Sequence, residues 1–121
     1  MDDTRVHAMF IIGSDTLPEE TLNQIFAGIN TRFGGCTVTE ARGCRSEDGE
    51  EFTAIYSNKV KFERAFQIDV SFMTDLDAPF TAQLDYLKGC FVPAKDFATW
   101  IHCEVWQTEA HHFNIKEIGE A

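Results

Sequence analysis

Basic residues are scarce in this 121-residue chain, where 10 Lys and Arg stand against 20 Asp and Glu for a net charge of −10. The shortage is even along the chain. Residues 1–60 hold 10 acids and 5 bases, and residues 61–121 hold the same, so each half carries −5. With no basic patch in either half, a nucleic-acid backbone or an anionic bilayer would be repelled, and no direct nucleic-acid or membrane binding is expected. Long apolar runs are also missing. The start Met1-Asp2-Asp3-Thr4-Arg5 is acidic, and the longest apolar run near it is Ala8 to Ile12. A secretory leader has a positive start and about 7–15 apolar residues, and a membrane helix needs about 20. A cytoplasmic location is the expectation. Cysteine is present but unpatterned. Cys36, Cys44, Cys90 and Cys103 never show the two-residue spacing of a zinc knuckle or redox motif. Four reduced thiols, mostly buried and behaving as small hydrophobes, are expected, with no disulfide and no metal. A P-loop, a dinucleotide-binding glycine pattern, a nucleophile elbow and H-E-x-x-H are all absent. The expectation is a protein that is not an enzyme and holds no cofactor.

What is plentiful is core material. Apolar residues make up 44% of the chain and include 11 Phe. That excludes disorder over most of the length, and the size fits one domain, residues 1–121.

Arg5 to Gly13 reads as a strand, with Val6, Ala8, Phe10 and Ile12 on one face and Arg5, His7, Met9 and Ile11 on the other. Thr16 to Phe33 reads as a helix: Thr16 and Glu19 form a capping box, Pro18 sits in the first turn, and Gly34-Gly35 supplies the stop. Leu22, Ile25, Phe26, Ile29 and Phe33 make its apolar stripe. Cys36 to Cys44 is a second strand. Asp48-Gly49 signals a hairpin turn, and Phe52 to Ser57 is a third strand, followed by a turn or bulge over residues 58–61. From Arg64 to Phe72 strict alternation of apolar and polar residues marks an antiparallel strand. Asp77 and Pro79 open a second helix, with Phe80, Leu84, Leu87 and Phe91 as its stripe, and Pro93 forbids its continuation. Trp100 to Gln107 is a further strand, and His112 to Glu117 another, joined by a turn near Glu109-Ala110. The order predicts a two-layer α+β fold: an antiparallel sheet with two helices, in a ferredoxin-like split βαβ topology with an extra C-terminal strand.

Phe10-Ile11-Ile12-Gly13, the helix after it, Phe33-Gly34-Gly35-Cys36-Thr37-Val38-Thr39-Glu40-Ala41-Arg42-Gly43 and the Asp48-Gly49 turn together carry a resemblance. Over about the first 60 residues the chain resembles small uncharacterised ferredoxin-like proteins of bacteria and their phages. The resemblance implies the fold and a phage accessory or anti-defence role, and implies no catalytic residue.

The candidate site lies on the face of the sheet away from the helices. Ile101, Cys103 and Val105 alternate with Trp100, His102, Glu104 and Trp106. If the apolar set meets the helices, two Trp flanking a His and a Glu project from the open face, where His7 can join them. Such a face suits a subunit interface or a pocket that stacks a flat ring between the two Trp. Arg42 could neutralise a phosphate there, or simply pair with Glu40. Glu47, Asp48, Glu50 and Glu51 form an acidic hairpin tip, which is a solvated turn or a surface matched to a basic partner.

The leading expectation is a non-catalytic homo-oligomer that binds a small nucleotide-like ligand or a protein partner through its open sheet face. One alternative is an acidic inhibitor covering the basic surface of a host nucleic-acid-handling protein. Another is a small dimeric enzyme with His102 and Glu104 as acid and base.

Overall fold

The computed structural model describes residues 2–51, 53–73 and 80–119. Strand β1 (Asp2–Gly13) is followed by helix α1 (Glu19–Phe33), strand β2 (Thr37–Ser46) and strand β3 (Val60–Met73). Helix α2 (Phe80–Gly89), strand β4 (Ile101–His111) and the short helix α3 (Ile115–Gly119) complete the order. The strands form one antiparallel sheet in the order β2-β3-β1-β4. This is the expected α+β architecture in a ferredoxin-like arrangement.

The alternation read from β1 and β3 fixes which face holds the core. Val6, Ala8, Phe10 and Ile12 are buried on one side, beside Phe66, Ile68, Val70 and Phe72 from β3. Leu22, Ile25 and Ile29 of α1 and Leu87 of α2 cover them, with Phe91 stacked obliquely on Phe10 at 4.7 Å. From β4, Ile101, Cys103 and Val105 pack half-buried against this core, as their alternation implies. On the other faces of β1, β3 and β4 the described residues are half-buried or exposed, apart from Ala65.

Several element boundaries differ from the sequence reading, each for a local reason. Helix α1 does not start from a Thr16–Glu19 capping box. Its N-cap is Pro18, in an extended conformation and without a side-chain cap. Leu17 precedes a proline, which disfavours helical backbone there, and its side chain is anchored in the core. Thr16 instead donates its amide N–H to the Ser14 hydroxyl at 3.3 Å. The far end of α1 does stop as expected. Gly34 takes the left-handed conformation (φ 85°) and its N–H reaches the Asn30 carbonyl at 2.9 Å.

No strand forms over residues 53–57, the described part of the expected Phe52–Ser57 strand; Phe52 lies outside the described residues. The Asp48 carboxylate accepts the Ser57 N–H at 2.9 and 3.2 Å, diverting a donor that a ladder would need. A one-turn helix over Gly49–Glu51 and a Glu47 N–H to Lys59 carbonyl bond make one long loop between β2 and β3. Residues 60 and 61, read as turn or bulge, belong to β3 and pair with Ser46 and Arg45. The expected cap of α2 at Asp77 and Pro79 lies outside the described residues.

The extra C-terminal strand is also corrected. β4 runs straight through Glu109-Ala110, because it pairs with β1 as far as His111 opposite Asp2. The chain then turns into α3, where Asn114 Oδ1 accepts the Lys116 N–H at 3.0 Å, a side-chain cap at a helix start. No helix among the described residues is long and apolar enough to cross a membrane.

Candidate functional site

The strand register lays out the open face as rows of side chains. His7 of β1 is opposite Trp106 of β4 on one side and Ser71 of β3 on the other. Met9 is opposite Glu104 and Asp69, and Ile11 is opposite His102 and Gln67. Directly opposed residues on one face of a sheet have Cβ atoms about 5 Å apart, and diagonal neighbours remain within reach of long side chains.

Both kinds of contact are used. The His7 ring lies flat against Trp106, with centroids 4.5 Å apart and planes 15° from parallel. Its Nε2 reaches diagonally to Asp69 Oδ1 at 2.7 Å. An ionised carboxylate can only accept, so Nε2 is the donor in this bond. Gln67 Nε2 donates to the other carboxylate oxygen, Asp69 Oδ2, at 3.1 Å. The row Trp106–His7–Asp69–Gln67 therefore crosses three strands, and each member restrains the next. Trp106 nevertheless stays 44% exposed, so the stack presents an ordered aromatic surface to whatever meets this face.

His102 and Glu104 point the same way, as their spacing implies, with Nε2 to Oε2 at 3.6 Å and both side chains more than half exposed. An exposed pair at this separation contributes little to stability, typically less than about 1 kcal/mol. Among the described residues, no three His, Cys, Asp or Glu side chains converge on a point that could hold a metal ion.

Two expected members are not brought in. Trp100 precedes β4 and does not pair in its ladder. Five strand residues, Ile101 to Val105, separate it from Trp106, six steps or about 20 Å at the usual rise. No flat ring can be sandwiched between two Trp so far apart, and that form of the pocket is corrected. Arg42 sits on β2 opposite Arg64, in the row that also contains Phe66 and Ile68, and so on the helix side of the sheet. Its guanidinium lies 3.8 Å over the Phe62 ring, and Glu40 pairs with Arg64 instead, Nε to Oε1 at 3.0 Å. The Arg42–Glu40 pairing read from sequence is thus replaced by two separate contacts.

The acidic tip is partly turned inward. Asp48 is engaged by Ser57 as described, and the Ser57 hydroxyl also reaches Glu47 Oε1 at 3.4 Å. Glu50 and Glu51 are exposed.

Sequence reasoning missed Asp69 and Gln67. The alternation places them only on the polar face of β3, and their convergence on His7 depends on the register between β1 and β3.

The thiols are less hidden than expected. Cys36, Cys90 and Cys103 are half-buried and Cys44 is exposed. Burial pushes the thiols of Cys36, Cys90 and Cys103 above the ordinary value. For Cys90 a hydrogen bond from Tyr86 and the charge of Arg32 pull the other way. At Cys103 nearby Lys88 lowers and Glu104 raises.

No family model and no curated protein matches this sequence. Among solved structures, the chain is similar to a phage SAM lyase in the apo state, at 14% identity and a TM-score of 0.48, over 90% of this chain and 92% of the other. It is also similar to an amidase of the hydantoinase/carbamoylase family from Burkholderia multivorans, at 16% identity and a TM-score of 0.32, over 88% of this chain but 28% of that one. The expectation that the protein is not an enzyme is corrected here, since the phage neighbour is named as a lyase.

Proposed function

We propose that the protein is a small phage-type accessory protein that binds a ligand bearing a flat aromatic ring on its open sheet face, with a second copy closing over that face. The observation that carries the reading is the Trp106–His7–Asp69 row. A Trp in water that is already held flat by a neighbouring ring, itself fixed by a 2.7 Å bond, loses little freedom when a third ring stacks on it. A nucleoside base fits this surface, because it offers a π-face to the stack and ring-edge donors and acceptors to His102 and Glu104. The second copy is supported by the apolar surface left in water: Trp100 and Trp106, with Phe113, Ile115 and Ile118 after β4, are all well exposed. The resemblance of the first 60 residues supports the phage setting.

Thermal unfolding with adenosine, AMP and S-adenosylmethionine, beside sedimentation velocity of the unliganded protein, tests the reading. A dimer or larger species whose melting point rises with at least one of the three supports it. A monomer whose melting point ignores all three contradicts it.

A further inference from the structure

One end of the open face deepens into a groove of about 530 Å³, lined by Arg5, His7, Asp69 and Ser71 from the sheet and by His111 and His112 where β4 ends. We propose that this groove holds an oxyanion, a phosphate or carboxylate, carried by the same ring-bearing ligand, with Arg5 as its principal cation. The inference rests on the sheet-face reading and specifies the second half of that ligand.

Three observations carry it. First, in a chain of net charge −10 with four His, the groove's lining gathers one Arg and three of those His. Second, the carboxylate that lines it is spoken for. Both Asp69 oxygens already accept bonds, from His7 and from Gln67, so the carboxylate is held against its neighbours on the sheet face and leaves Arg5 without it as a partner. Arg5 has no such engagement: among the described residues it forms no ion pair, although it is only half-exposed on a strand inside the sheet. Guanidinium is the side chain best suited to a planar or tetrahedral oxyanion, through paired N–H donors. Third, the groove and the stacking surface share His7. One side of its ring lies on Trp106, while the same side chain forms part of the groove wall. The groove and the stacking surface therefore adjoin across the His7 ring, and one ligand reaching past that ring can occupy both. The walls add a hydroxyl from Ser71 and imidazoles from His111 and His112, of which His111 also faces Glu109 at 3.6 Å.

The test is calorimetric titration of the purified protein with adenosine, AMP and adenosine 5′-carboxylate, repeated with Arg5→Gln and Arg5→Lys, circular dichroism confirming that each variant is folded. The proposal expects an anionic nucleoside to bind about tenfold more tightly than adenosine, with the gain shrinking as salt is raised. Arg5→Gln should erase that gain while adenosine binding stays as it was, and Arg5→Lys should restore part of it. Comparison of AMP with the carboxylate identifies the preferred oxyanion. Equal binding of charged and uncharged nucleosides by the unaltered protein overturns the proposal and leaves the sheet-face reading standing. So does an Arg5→Gln variant that weakens all three alike. If none of the three binds, both readings fall together.

Discussion

Cys44 is the one thiol of the four that stands exposed, on β2, while Cys36, Cys90 and Cys103 are each held above the ordinary thiol pKa by burial. The thiolate is the reactive form, so raised pKa and restricted access both slow reaction. A thiol reagent at neutral pH should modify one cysteine quickly and three slowly, and Cys44→Ser should remove the fast phase. A fast phase that survives that substitution would contradict the assignment. The same shifts set a direction for stability. A thiol whose pKa is raised on folding ionises first in the unfolded chain. Its stabilising effect is complete below the unfolded value, about 8.5, and is lost as pH rises through the folded value. Urea unfolding should therefore show stability declining from pH 8 to pH 10. Gly34 offers a second test at this scale. A Cβ there would meet nothing within 4 Å, so Gly34→Ala should cost only the left-handed backbone, about 1 kcal/mol, read as a lower urea midpoint with unchanged slope.

Among the elements, the loop between β2 and β3 depends on a side chain that composition alone would assign to solvent. Asp48 accepts the Ser57 amide through both oxygens, and the Ser57 hydroxyl accepts the Lys59 N–H at 3.1 Å. Asp48→Ala should lower stability by about 1–2 kcal/mol and open residues 49–59 to protease, while β1, β3 and β4 stay folded. An unchanged cleavage pattern would show that the loop is held by other means. This loop also illustrates what was legible in the sequence. The alternation of Phe66, Ile68, Val70 and Phe72, and of Val6, Ala8, Phe10 and Ile12, identified two strands and the buried face, because one side meets helices and the other does not. The segment 52–57 reads equally well as a strand, since its β-propensity is local, whereas the bond that forbids pairing comes from nine residues away. Residues 112–117 failed similarly, as β4 continues along β1 and leaves that stretch no strand to join. For the site, Trp106, His102, Glu104 and His7 could be placed on one face by counting in twos. The His7–Asp69 bond spans 62 residues and depends on register, and the separation of Trp100 from Trp106 depends on where β4 begins.

At the scale of the whole molecule, the charge of −10 and the exposed aromatic face act in opposite directions. Like charge keeps copies apart, and apolar surface draws them together. Added salt screens the first more than the second, so self-association should strengthen between low and physiological ionic strength, as read by sedimentation velocity. Weaker association at higher salt would point to a contact built on ion pairs instead. The central claim, that the Trp106–His7 row is where this protein meets its ligand, is tested most directly by a pair of substitutions. Trp106→Ala and Trp100→Ala remove the same side chain from the same segment, but only the first touches the His7 stack. Calorimetric titration of both variants with AMP, alongside circular dichroism, should show a loss of about 2 kcal/mol or more in binding for Trp106→Ala, with the fold intact and Trp100→Ala binding as the unaltered protein does. Undiminished binding by Trp106→Ala would contradict the account.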